Sequence, residues 1–260
     1  MSETIHTENS TTAPNIRSIA SDAPWAWLAA GWRDLWNSPL FSLIYGAGFA
    51  LAALVMFLAL QNMGSAGLIP IMGGGFLLLG PLLAAGLYEK SRVIEKGGRL
   101  SLAAIISVGV RSPVGLAYMG VMLLVVFIFW IPIAMVLFAL FLGHIGLPPL
   151  DQFVQQLLFT PNGLALLVVG TAVGALLAGI TYTLSVISVP MLLDRDVDIF
   201  TAVATSIRAV RANFSPMLLW ATIIAVLMAV GMATAFVGLI ITFPLVGHAT
   251  WHAYRAIVEE

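Results

Sequence analysis

The stretch "MLLWATIIAVLMAVGMATAFVGLIITFPLVGHATWHAY", Met217 to Tyr254, runs for 38 residues without an Asp, Glu, Lys or Arg. As a single helix it would reach about 57 Å, against a hydrocarbon layer about 30 Å thick. One helix overshoots the bilayer. Two short helices joined by a tight turn fit, and glycine relaxes the backbone near Gly231–Thr234, so the turn is expected there.

Four other uncharged runs have spanning length: Leu40–Leu60, Gly67–Tyr88, Val114–Gly143 and Leu164–Leu193. The last run therefore decides between five crossings and six, and charge position arbitrates. The 11 basic residues are Arg17, Arg33, Lys90, Arg92, Lys96, Arg99, Arg111, Arg195, Arg208, Arg211 and Arg255. With six crossings and a cytoplasmic N-terminus, all of them fall on one side. The loops on the other side (Gln61–Ala66, His144–Gly163 and the turn near Gly231) hold none. Basic residues flanking spans stay in the cytoplasm, and five crossings would leave Arg255 alone on the wrong face. The sequence thus predicts an all-α integral membrane protein with six transmembrane helices, near 40–60, 67–88, 114–143, 164–193, 217–232 and 235–254. Both termini are expected in the cytoplasm.

Composition agrees. The 260 residues are 60% hydrophobic and 9% charged, with mean hydropathy +1.03, whereas soluble domains carry about 25% charged residues. Too few charges remain to face water, and a net charge of −1 gives no pull toward nucleic acid. The absence of cysteine removes disulfides, thiolate catalysis and iron–sulfur ligation. Residues 1–16 are polar and Ser/Thr-rich and read as a disordered cytoplasmic tail; residues 17–258 form one membrane domain.

The chain also repeats. "NSPL" (Asn37–Leu40), "RSPV" (Arg111–Val114) and "FSPM" (Phe214–Met217) stand at the entrances of the odd-numbered spans. Pro suits a first helical turn and Ser before it can cap. Each even-numbered span carries a Pro: Pro81, Pro190 and Pro244. Before each Ser-Pro lies a segment suited to the interface: 21–37, Ser101–Val110, and a stretch from Ile199. The expected architecture is three helical hairpins, each preceded by an interfacial amphipathic helix. Trp25, Trp32 and Trp36 recur on the first of these as a membrane anchor.

The stretches "GWRDLWNSPLFSLIYG", "GPLLAAGLYEKSRVIEKG", "SVPMLLDRDVD" and "PLVGHATWHAYR" together resemble an uncharacterised bacterial integral-membrane family, domain of unknown function twenty-one eighty-nine. The resemblance implies a multi-span inner-membrane protein and brings no activity or functional residues. Some family members are labelled cytochrome c oxidase subunit I. Four histidines in the whole chain are too few for haem and copper ligands, so haem is not expected.

His248 and His252 are four residues apart, on one face of a helix. With Glu89, Asp194 and Asp198, which occupy related positions beyond the hairpin prolines, they form a candidate first shell for a divalent metal. Lys90, Arg92, Arg195 and Arg255 at the same level oppose a cation, and the simpler expectation is no cofactor. "DRDVD" at Asp194–Asp198 lacks the Gly and Glu of a calcium loop; Asp196 or Asp198 is expected to cap the helix that follows. Gly170, Gly174 and Ala178 allow close helix packing, and Thr181, Ser185 and Ser188 share a face as either a narrow path or interhelical hydrogen bonds. No charge lies deep within a span, which disfavours proton-coupled transport. The reading of function is a non-enzymatic accessory, assembly or structural subunit of a membrane complex, a respiratory one by association with the family label. Its partners are the lipid bilayer and other membrane subunits or a second copy. A channel or carrier for a small uncharged solute is the alternative, and a membrane metal-binding protein the second.

Overall fold

The computed structural model describes residues 14–98, 110–143 and 149–259. Most of the N-terminal tail, the middle interfacial segment Ser101–Val110 (all but its last residue) and His144 lie outside them.

The described chain is helical. In order come α1 (Ala23–Asn37), α2 (Pro39–Asn62), a 3₁₀ turn (Ala66–Leu68), α3 (Ile69–Leu78), α4 (Gly80–Leu83) and α5 (Ala85–Glu95). Then follow α6 (Pro113–Leu142), α7 (Leu150–Phe159), α8 (Pro161–Ser185), α9 (Ser188–Asp194), α10 (Ile199–Ala212), α11 (Phe214–Ala233) and α12 (Leu239–Ile257). Four stretches are long and apolar enough to cross a membrane: α2, α6, α8 continued into α9, and α11.

The other two expected spans differ for physical reasons. Residues 67–88 do not make one helix. Pro81 has no N–H to give the carbonyl four residues back, and its ring crowds that turn; the path breaks into α3, α4 and α5. Pro190 acts in the same way further along the chain, separating α9 from α8 near Val186. Helix α12 is less apolar because it faces protein. It packs on α1, α2, α5 and α11, and most of its residues are buried, from Leu239 to Ile257. Phe243 stacks on Phe49 of α2 at 3.7 Å between centroids, and Trp220 of α11 meets Trp27 of α1 edge-on at 6.0 Å. Gly31 lets α1 lie against the α12 backbone, since a Cβ there would fall 2.6 Å from the Ala249 nitrogen.

The turn between α11 and α12 is displaced from its expected place. It occupies Thr234–Gly238, and the left-handed residues are Ala235 (φ 52) and Phe236 (φ 68). Gly231 stays inside α11, where it gives room to Leu239 and Thr242. A glycine expected to turn the chain instead lets two helices approach. Ser38 and Ser112 do hold the N-cap positions before Pro39 and Pro113, but neither makes a side-chain cap hydrogen bond.

Helix ends gather in two groups. At one end, the Arg111 and Ser112 amides donate to Leu193 and Leu192 carbonyls, at 3.3 and 3.0 Å. Asn213, before α11, accepts from the Ile19 amide at 2.8 Å and donates to the Arg17 carbonyl at 2.9 Å. Ile16 pairs with Val258 in an isolated antiparallel bridge, so the segments before α1 and after α12 lie together. At the other end, Phe57 near the close of α2 touches Phe236 in the α11–α12 turn.

Candidate functional site

The most concentrated polar chemistry lies at the charged end, between α1, α2, α5 and α12. Lys90 of α5 is 1% exposed. Its Nζ donates to Ser42 Oγ at 2.6 Å, to the Ser38 carbonyl at 3.0 Å and to the Leu35 carbonyl at 3.4 Å. It thereby serves the unpaired carbonyls at the C-terminal end of α1, where positive charge also suits the helix dipole. Ser42 Oγ lies 2.9 Å from His248 Nε2, and Ser91 Oγ lies 2.8 Å from His248 Nδ1. The Asp34 carboxylate lies on the same side, its Oδ2 accepting from His252 Nε2 at 2.8 Å.

An ammonium only donates and a carboxylate only accepts. Ser42 Oγ therefore accepts from Lys90. The His248 imidazole is 0% exposed and is held between Ser42 and Ser91, in a run Lys90–Ser42–His248–Ser91 that lies beside the Asp34–His252 pair. Burial raises the cost of charge on Asp34, yet hydrogen bonding from His252 and Ser91 outweighs it and holds its carboxyl below the ordinary range. Burial pushes the Lys90 ammonium down to about 8, partly opposed by the charge of Asp34.

A second layer encloses this one. Tyr254 donates to Asp194 Oδ2 and accepts from Arg195 Nε, both at 3.0 Å. Arg255 Nε binds Glu95 Oε1 at 2.9 Å, and Glu95 Oε2 takes the Trp251 N–H at 3.0 Å. Glu89 and Arg92 form a buried fork of two 2.8 Å bonds.

The five residues singled out as metal ligands are therefore dispersed. His248 is held by two serines, His252 by Asp34, and Glu89 by Arg92. Asp194 faces Tyr254, Arg255 and Lys96. Asp198 caps α10, taking the Thr201 amide at 2.9 Å. Among the described residues no three His, Asp or Glu side chains are arranged to hold a metal ion. Lys90, Ser42, Ser91 and Asp34 were missed as members of the cluster. Lys90 and Ser91 fall on adjacent faces of α5, and no sequence spacing links them to Ser42 and Asp34 on other helices.

The remaining candidates sort by surface. Thr181, Ser185 and Ser188 are buried. The Ser185 hydroxyl goes to Thr181 O, while that of Ser188 goes to Leu184 O and to Ala202 O across the joint with α10. Gly174 lies beside the Trp130 ring, 3.6 Å from a would-be Cβ, while Gly170 has only its own helix nearby. Ala178 is exposed. Trp25, Trp32 and Trp36 are all exposed on α1, and Trp27 between them is buried.

Long apolar helices, a buried polar knot at one end and apolar flanks elsewhere define a polytopic α-helical integral membrane protein. Residues 68–194 match the family described as "Predicted integral membrane protein (DUF2189)", the one the sequence resembles. No curated protein and no solved structure matches the chain.

Proposed function

We propose that this is a six-crossing protein of the bacterial cytoplasmic membrane, built of three hairpins with both termini in the cytoplasm, acting as a non-enzymatic accessory or assembly subunit of a larger membrane complex. Six crossings are supported by the helix ends. The starts of α2, α6 and α11 and the ends of α5, α9 and α12 share the end where the basic residues lie. The joined segments at Ile16 and Val258 favour an even number of crossings.

One observation carries the subunit reading. The polar side chains of the cluster are bound to one another between α1, α2, α5 and α12, whereas α6 and α8 turn bulky apolar side chains outward along their lengths. Val136, Leu140, Leu164 and Val168 illustrate that outward face. The reading uses no cofactor, because a metal at His248 and His252 would have to displace Ser42, Ser91 and Asp34.

The test is site-specific photocrosslinking in native membranes, with a photoreactive residue at Leu140 or Val168 and, for comparison, at Leu51 of α2. A protein adduct of defined mass from α6 and α8 alone is expected. Lipid adducts only, at all three positions, would overturn the subunit reading.

A further inference from the structure

Where α10 meets the charged-end half of α8, the two helices leave a groove of about 450 Å³. Its walls are Leu176, Gly179, Ile180 and Leu184 from α8 and Ile207 and Arg211 from α10. A Cβ on Gly179 would meet nothing within 4 Å, so no part of the described chain fills the trough. The hydroxyl of Thr183, which also lines it, turns back to the Gly179 carbonyl at 2.7 Å. No acidic residue lines the groove.

Arg211 is its one charge. It is exposed and makes no hydrogen bond or ion pair among the described residues, in contrast to Arg208, which reaches Pro14 O and Thr205 Oγ1. Being in the last turn of α10, it suits the helix dipole, but this leaves the five N–H donors of the guanidinium unused.

We infer that this groove is a binding site for an anionic glycerophospholipid of the leaflet at the charged end, with its phosphate on Arg211 and one acyl chain along Leu176, Ile180 and Leu184. The two parts of the site ask for the two parts of that ligand. An open apolar trough takes hydrocarbon. The planar guanidinium at its rim matches a phosphate through paired N–H donors. The depth is also right, since an amphipathic helix lying in the interface carries its basic side chains at the headgroups, where anionic lipid is favoured by about 1 kcal/mol per cation. The inference requires the membrane setting and is independent of the subunit reading.

Native mass spectrometry of the full chain in mild detergent, with chain-matched phosphatidylglycerol and phosphatidylcholine in competition, tests it. Wild type should retain phosphatidylglycerol by about fivefold over phosphatidylcholine. Arg211→Gln should abolish that preference while keeping some lipid of both kinds. Gly179→Leu, which enters open space and so leaves the fold intact, should lower retention of both. Arg208→Gln should keep the wild-type preference. Equal retention of the two lipids by wild type, an unchanged preference in Arg211→Gln, or loss of bound lipid to excess inorganic phosphate would each overturn the assignment. Circular dichroism of each variant guards against misfolding; if Gly179→Leu unfolds, the Arg211→Gln and Arg208→Gln pair decides.

Discussion

Replacing Lys90 by methionine sets two opposed effects against each other, and pH separates them. The substitution removes a donor from Ser42 Oγ and from the Ser38 and Leu35 carbonyls. Each buried polar group left unpaired costs about 1–3 kcal/mol, so the variant should be less stable. The wild type, however, carries its own penalty. Burial lowers the ammonium to about 8 from an ordinary 10.5, a gap equivalent to about 3 kcal/mol. The folded chain gives up this proton more readily than the unfolded chain, so between those two pH values the unfolded state binds more protons and the stability due to Lys90 rises with pH. The penalty is fully present below about pH 8 and relieved by about 10.5, because a neutral amine still donates. The gap in stability between wild type and Lys90→Met should therefore widen by about 3 kcal/mol from neutral to alkaline pH, on the order of 6–12 °C in apparent Tm. Thermal melts followed by tryptophan fluorescence in lipid nanodiscs read this directly. Comparing the two proteins at each pH cancels the titration of other groups. A gap that stays constant or narrows as pH rises would refute the reasoning.

Removing the imidazole in His248→Ala strands two serine hydroxyls and leaves a cavity, so a loss of about 3–5 kcal/mol is expected in the same melts; a loss below about 1 kcal/mol would mean the bonds to Ser42 and Ser91 are not formed. The low carboxyl of Asp34 contributes stability above the ordinary carboxylate range that is lost as pH falls through it, so the Tm difference between wild type and Asp34→Asn should shrink in acid, and a pH-independent difference would count against the assigned bonds. Gly31→Val must push apart α1 and α12 at the Ala249 backbone, whereas Gly48→Val enters open space; detergent-resistant folded protein should fall several-fold for the first only, as read by size-exclusion recovery. Since the chain has no cysteine, single cysteines report orientation cleanly. Phe236→Cys should react with an impermeant maleimide from outside intact cells and Phe200→Cys only after lysis.

The sequence made some levels legible and hid others. Helical class and four of the spans were readable because apolar runs near 20 residues have few other uses. Asp198 as the cap of α10 was readable from its place before a periodic stretch. The break at Pro81 was underread: the proline was noticed, but its effect on the turn before it was not applied. The turn after α11 was misplaced because Ala235 and Phe236 take the left-handed positions usually given to glycine. The polar cluster was only half visible. The spacing of His248 and His252 was plain, yet both imidazoles take their partners from α1, α2 and α5, between about 150 and 220 residues away in the chain. Nothing local marks Ser42 as different from the other serines near span ends. Polar residues inside an otherwise apolar helix are a signal that α12 faces protein, one that was not used, and they do not say which neighbours would receive them.

The burial of α12 has a consequence for biosynthesis. This helix leaves the ribosome after every element it supports. Until it arrives, α1, α2 and α5 must wait in the membrane with Asp34, Ser42, Lys90 and Ser91 lacking the imidazoles that join them. A nascent chain stalled before Leu239 would leave a charged, half-assembled seam open, and the arrival of α12 closes it.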